Sequence, residues 1–228
     1  RTRPIREGEG FNFDNLLKFI RNNVDGLDGE ARIEQFPGGH SNLTYLLRVG
    51  DRELVIRRPP FGRKAKSSHD MMREYQVLKA LKPVFPYCPE PLAYTDDANI
   101  IGSPFYVMER IRGVILRRDP PKGLDLSRED ARKLCEKLID VHLELHALDY
   151  RSIGLEGFGK PDGYVKRQVS GWSERYRAAR TSDAPDFEAV MNWLEHSLPP
   201  ERGAAVIHND YRFDNVVLDP SDPMKIIG

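Results

Sequence analysis

Apolar residues recur along this chain at two periods, and the period changes with position. Phe13, Leu16, Leu17, Ile20 and Val24 follow the three-and-four spacing of one helical face, closed by Asp25-Gly26. Residues 31–36, 43–49 and 53–57 then read as strands, with Gly50-Asp51 as the turn of a hairpin between the last two. Pro59-Pro60-Phe61-Gly62 ends the third strand, because proline has no N–H to give a ladder. A basic loop with Arg63, Lys64 and Lys66 leads into a helix over about 70–81, capped by Ser68 or Asp70. Its stripe is Met71, Glu74, Leu78 and Leu81, with Tyr75 alongside. A carboxylate among apolar positions needs a cation or a hydrogen-bond donor, so the pattern predicts a partner for Glu74.

Residues 82–91 form a proline-rich connector, and 92–95 and 105–109 read as strands around an Asp96-Asp97 turn. Arg112-Gly113 breaks the pattern. Ser127-Arg128-Glu129-Asp130 resembles a capping box, and Ala131, Leu134, Leu138, Val141, Leu145 and Leu148 extend a helix from it. Residues 164–180 and 187–198 are further helices. Near the end, Val206-Ile207 and Val216-Val217-Leu218 flank a polar loop, which predicts strand, loop, strand; a last strand covers 224–227. Residues 1–10 are polar and expected to fray. Strands come first and helices after, an α+β order. It suggests an N-terminal lobe over 1–109, a hinge over 110–113 and a C-terminal lobe over 114–228.

Charge narrows the partners. Lys and Arg number 35, as do Asp and Glu, so the formal net charge is zero and no basic footprint points to nucleic acid. No run is long enough for a transmembrane helix and no signal-peptide core is present, so no membrane partner is expected. Cys88 and Cys135 lack metal or redox spacing, and a soluble cytoplasmic protein is the expectation. The sequence does not fix an oligomeric state. The chain begins at Arg1 and stops at Ile226-Ile227-Gly228, within a strand pattern, which suggests part of a longer polypeptide.

The chemistry gathers in His208-Asn209-Asp210-Tyr211-Arg212-Phe213-Asp214-Asn215. H-x-D-x-x-x-x-N is the spacing of a kinase catalytic loop, in which the Asp takes a hydroxyl proton and the Asn holds Mg²⁺. Asp210 is then the candidate base, Asn215 a metal ligand and Arg212 a clamp on the transferring phosphate, while His208 holds the loop by hydrogen bonds. Upstream, Gly38-Gly39-His40-Ser41-Asn42 sits between two strands, where glycines let backbone N–H groups approach a phosphate. Arg57 (or Arg58) ends Leu54-Val55-Ile56-Arg57, a position like that of V-A-I-K, and Glu74 would pair with it. The strand Phe105-Tyr106-Val107-Met108-Glu109-Arg110-Ile111 could offer backbone groups to an adenine edge. Singly, these features read as a hairpin turn, a snorkelling arginine, a stripe edge and an edge strand; their joint order carries the kinase reading. His142 and His146 lie one helical turn apart, but Glu144 is misplaced for H-E-x-x-H, and core-edge histidines are expected there.

Together these stretches, with His69-Asp70-Met71-Met72-Arg73-Glu74-Tyr75, resemble the aminoglycoside phosphotransferase / choline kinase-like family. Within it they are most similar to a bacterial phosphotransferase branch that resembles the kinase-like domain fused to some acyl-CoA dehydrogenases. The resemblance runs from about Ile33 to the end. It implies a bilobal protein-kinase-like fold with ATP and Mg²⁺ between the lobes. The acceptor it implies is a small-molecule hydroxyl, aminoglycoside-like or a hydroxyacyl or other metabolite. By motif position, Gly39, Ser41 and Asn42 lie over the phosphates, Arg57 is the strand cation with Glu74, and Glu109 and Ile111 present hinge backbone. Asp210 is the base and Asn215 a metal ligand. Arg57 replaces the usual Lys, keeping charge but not point-like geometry. The family's second metal-binding Asp and most acceptor-pocket helices would follow Gly228, leaving the C-terminal lobe incomplete, so these residues alone are expected not to transfer phosphate. The alternative is a catalytically inactive nucleotide-binding pseudokinase. A protein kinase ranks last, because Gly38-Gly39 is not a G-x-G-x-x-G loop.

Overall fold

A computed structural model describes residues 2–37, 42–60, 71–117, 120–121 and 123–228. Five strands form one antiparallel sheet in the order β1-β2-β3-β5-β4. They are β1 (Ala31–Gln35), β2 (Leu43–Val49), β3 (Arg52–Arg58), β4 (Pro91–Thr95) and β5 (Phe105–Glu109). The β2–β3 turn uses Gly50 at φ 55°, where an added Cβ would stand 2.7 Å from the Asp28 carbonyl.

The two faces of the sheet have different tasks. Tyr45, Leu47, Val49, Leu54, Ile56, Phe105 and Val107 alternate onto one face and pack with Leu16 and Ile20 of α1 (Phe13–Asn23). Each such side chain, fully buried, contributes about 1.5–3 kcal/mol. The other face carries Arg48, Glu53, Val55, Arg57, Tyr106 and Met108, and α2 (Met71–Leu81) packs against β4 and β5. Its proposed caps, Ser68 and Asp70, lie outside the described residues.

Three expectations are corrected. The Asp96-Asp97 turn is the start of a short helix, α3 (Ala98–Ile101), because the Asp97 carboxylate accepts from the Asn99 N–H and Gly102 closes it at φ 82°. The described N-terminal residues, from Thr2 on, do not fray. Arg3 and Gln35 exchange backbone hydrogen bonds at 2.9 and 2.8 Å, and Thr2 donates to Glu34 at 2.6 Å. Gln35, 1% exposed, accepts from the Arg6 N–H and donates to Glu9. The arm thus covers the open edge of β1 and satisfies a buried amide. Finally, residues 206–207 form no strand: among the described residues no ladder partner takes their backbone groups, and Ile207 is exposed. Downstream, the strands expected over 216–218 and 224–227 are likewise reduced to isolated bridges, Leu218 pairing with both Val114 and Ile226.

The capping box appears as read. Ser127 Oγ and N–H both donate to the Asp130 carboxylate, and the Asp130 N–H donates back to Ser127 Oγ, opening α4 (Arg128–His146). The chain groups into two units, Arg1–Leu145 with His208–Gly228, and His146–Ile207. Within the second, α5 (Tyr164–Ala179) packs on α6 (Glu188–His196) through Tyr176 against Phe187 and an Arg177–Glu188 pair at 2.8 Å. No described helix is long and apolar enough to cross a membrane.

Candidate active site

Asp210 sits in a loop shaped by its own neighbours. Asn209 has φ 64°, the one positive value on a non-glycine residue among the described residues, and asparagine tolerates that region better than most. The Asp210 N–H donates to His208 Nδ1 at 3.3 Å, which makes that nitrogen the unprotonated one. Burial of the His208 ring lowers its pKa, and the nearby Asp210 charge only partly opposes this. By surface area the residue is nonetheless exposed, so the direction of the shift, and not its size, is what the geometry supports. Tyr211 stacks on His142 with centroids 4.4 Å apart and meets His208 edge-on at 5.6 Å. Burial raises the Tyr211 hydroxyl to about 12, and among the described residues that hydroxyl has no acceptor.

Residues Phe213–Asn215 form one 3-10 turn, closed by Asn215 N–H to Arg212 carbonyl at 2.9 Å. The turn brings the Asn215 amide back to Asp210, donating to its carboxylate at 2.8 Å and its carbonyl at 2.9 Å. Asn215 Oδ1 is therefore the acceptor end, a hard oxygen of the type Mg²⁺ takes. Arg212 Nε lies 2.8 Å from Asp214 and 3.3 Å from Asp210. The Asp210 side chain is 64% exposed, open to an incoming molecule. Among the described residues no three or more His, Cys, Asp or Glu side chains gather as a metal site. A nucleotide-bound Mg²⁺ does not need such a cage, since phosphates and water supply most of its ligands.

On the sheet, Arg57 and Glu74 meet: Arg57 Nε is 3.0 Å from Glu74 Oε2. The Nε–H is not aligned on that oxygen and has no hydrogen-bond acceptor among the described residues, so the contact is an ion pair without a directed hydrogen bond. Glu74 is fixed instead by Tyr106, whose hydroxyl donates at 2.9 Å, and by the Asn42 amide at 3.0 Å. Burial pushes the Tyr106 hydroxyl far up, keeping it a donor. Asn42 is thus turned inward, 4% exposed, with its amide on Glu74. Arg58 alternates to the opposite face, buried, and donates to the Ile101 carbonyl at 2.8 Å. Gly39 and Ser41, the other proposed phosphate contacts, lie outside the described residues.

The segment after β5 is held from several sides. The Glu109 N–H donates to the Glu90 carbonyl, so that donor is not offered to a ligand, and the Glu109 carboxylate accepts from Lys82 at 2.6 Å. Ile111 packs on Gly228, where an added Cβ would stand 2.6 Å from Ile111 Cδ1. Sequence reasoning missed Tyr106 and Asn42 as partners of Glu74. The alternation that places Tyr106 and Arg57 on one face was the available signal for the first; Asn42 carried none.

The profile of the phosphotransferase enzyme family matches residues 32–228. The chain belongs to that family. Its relatives include mouse (Mus musculus) acyl-CoA dehydrogenase family member 10, 36% identical over 220 residues, covering 96% of this chain and 20% of the relative. Human (Homo sapiens) acyl-CoA dehydrogenase family member 11 is 34% identical, covering 93% of this chain and 28% of the relative. The chain therefore spans less than a third of the length of these relatives. A provisionally named aminoglycoside phosphotransferase from Ralstonia eutropha has a similar structure: TM-score 0.81, 29% identity, 96% of this chain and 64% of that one. The GDP and kanamycin complex of an aminoglycoside 2″-phosphotransferase superposes with TM-score 0.64 at 18% identity, over 93% of this chain and 69% of that one. The phosphotransferase chain has the α+β protein-kinase-like fold that its sequence predicts.

Proposed function

We propose that this chain is the nucleotide-binding and catalytic part of an ATP- and Mg²⁺-dependent phosphotransferase acting on a small-molecule hydroxyl. The observation that carries it is the Asp210–Asn215 pair, a carboxylate and an amide joined at 2.8 Å in a solvent-open loop. Family membership and the Arg57–Glu74 contact support the same reading. Asp210 would orient the acceptor hydroxyl and take its proton as the oxygen bonds to the γ-phosphorus. The bond from that phosphorus to the ADP oxygen breaks. Arg57 and Arg212 would neutralise phosphate charge, with Gly39, Ser41 and Asn42 bordering the phosphates and Glu109 and Ile111 the base. Asn215 Oδ1 would be one ligand of Mg²⁺, which when bound offsets charge on the phosphate oxygens. We assign 1–109 to the nucleotide lobe, 110–113 to the hinge and 114–228 to the C-terminal lobe, in a cytoplasmic protein.

The acceptor is aminoglycoside-like or a hydroxyacyl metabolite, and the relatives favour the second. Those at 34–36% identity carry acyl-CoA dehydrogenase names, whereas the kanamycin-complexed enzyme shares 18% and supports the fold alone. The test is ATP turnover by the full-length protein across a panel of hydroxyacyl compounds and aminoglycosides. Turnover that disappears in Asp210→Asn is expected; turnover indifferent to Asp210 would sink the assignment. A second reading, a nucleotide-binding pseudokinase, draws on one observation: the Asp210 carboxylate is already contacted by Asn215 and Arg212. ATP binding with no Asp210-dependent turnover would decide for it.

A further inference from the structure

Glu53 stands on β3 four residues before Arg57 and on the same face of the sheet. Its carboxylate accepts from three guanidinium groups: Arg48 Nε at 2.9 Å, Arg112 Nε at 2.7 Å and Arg110 Nη1 at 2.5 Å. Its side chain is 12% exposed. Burial alone would raise its pKa; the hydrogen bonds from Arg48 and Arg112 and the charges of Arg110 and Arg112 more than offset this, and the carboxyl falls below its ordinary range. Arg48 belongs to β2 and continues to Glu34 on β1. Arg110 and Arg112 belong to the segment after β5. Two residues apart in that segment, they both donate to the same carboxylate oxygen, Oε2.

The far end of that segment is docked elsewhere. The Val114 N–H donates to the Leu218 carbonyl at 2.9 Å, and the Leu218 N–H donates back at 2.8 Å. Gly113 permits this approach: a Cβ there would collide with the Leu218 carbonyl oxygen and stand 2.6 Å from Val217 Cγ1. Leu218 follows Asn215 by three residues. The segment is therefore gripped by β3 at one end and by the chain leaving the Asp210 loop at the other.

We propose that Glu53 is a positioning residue: through Arg110 and Arg112 it fixes the 110–114 segment that joins the sheet to the catalytic loop, and so sets nucleotide affinity. This rests on the function proposed above only for its kinetic part. An exposed ion pair is worth about 0–1 kcal/mol and would position little. One mostly buried carboxylate shared by two arginines of one short segment is a different case, since losing it leaves both guanidinium groups without that acceptor.

The experiment compares Glu53→Gln, Arg112→Gln and Arg48→Ala in the full-length protein by amide hydrogen exchange and by steady-state kinetics with ATP. Glu53→Gln is expected to speed exchange over 110–114 while β2 and β3 stay protected. It should raise the KM for ATP about fivefold with kcat within about twofold. Arg112→Gln alters a largely exposed side chain, and should move both readouts the same way by less. Arg48→Ala removes the contacts with Glu53 and with Glu34 on β1 but leaves Arg110 and Arg112 on Glu53, and should leave the KM unchanged. Unaltered exchange at 110–114 in Glu53→Gln, or an equal KM shift in Arg48→Ala, would overturn the proposal. If the wild type turns over no ATP, the proposed function fails and the exchange data alone judge the positioning role.

Discussion

Asn215 holds Asp210 by two hydrogen bonds, one to the carboxylate and one to the main-chain carbonyl of the same residue. Side chain and backbone of the candidate base are thus oriented by the candidate metal ligand. Asp210→Asn should lower kcat by about 10²–10⁴-fold while ATP still binds, because only the proton acceptor is lost. Asn215→Ala should lower kcat and also raise the Mg²⁺ concentration needed for half-maximal rate. Steady-state kinetics with Mg²⁺ titration separate the two variants.

Glu74 accepts from the Tyr106 hydroxyl and the Asn42 amide while standing against Arg57. Glu74→Ala removes the acceptor of a buried hydroxyl, a loss of about 1–3 kcal/mol. The Arg57 contact adds little, since both side chains are about a third exposed. Urea unfolding should therefore show Glu74→Ala well below wild type and Arg57→Ala much closer to it. The reverse order would mean that the ion pair, and not the hydrogen bonds, fixes α2 on the sheet.

His208 has a folded-state pKa below its ordinary 6.5, through burial of the ring. The unfolded chain therefore takes up this proton first as the pH falls. Its contribution to stability is present above about pH 6.5 and is lost as the pH drops through the lower folded value. His208→Asn should flatten that part of the profile, so the stability gap between wild type and variant narrows toward acid. Denaturant unfolding at about pH 7.5 and pH 5 measures it, and other titrating groups cancel in the comparison. A gap that widens toward acid would mean that the folded loop prefers the charged ring.

Gly113 lies against the Leu218 carbonyl with no room for a Cβ. Gly113→Ala should cost about 1–3 kcal/mol by overpacking. Because the strain falls on the pairing of Val114 with Leu218, hydrogen exchange should rise at these two residues before it rises in β2. Thermal unfolding with residue-resolved exchange would show it; a neutral substitution would contradict the close approach.

Much of this protein is legible locally. The expected strands over 43–49 and 105–109 coincide with β2 and β5, and the Ser127–Asp130 box opens α4 as read. Such features depend on alternation and on capping chemistry between near neighbours, which a linear sequence records. The need of Glu74 for a partner was also readable, as was the spacing from His208 to Asn215. The arm at residues 2–10 was not. It is polar, as fraying termini are, but the β1 edge and the buried Gln35 amide offer it partners far along the chain. Residues 206–207 show the converse, an apolar pair that forms no ladder because a strand is defined by its neighbour.

The sequence by itself therefore determined most of the elements, the α+β order and the residues able to do chemistry, because these follow from which positions shed water and which cannot. Only the tertiary structure decided the partners: Tyr106 and Asn42 on Glu74, Asn215 on Asp210, and three arginines on Glu53. Period marks the face that is covered, but a polar group's partner depends on which distant segment packs beside it, and that is set when the sheet and its connecting segments assemble.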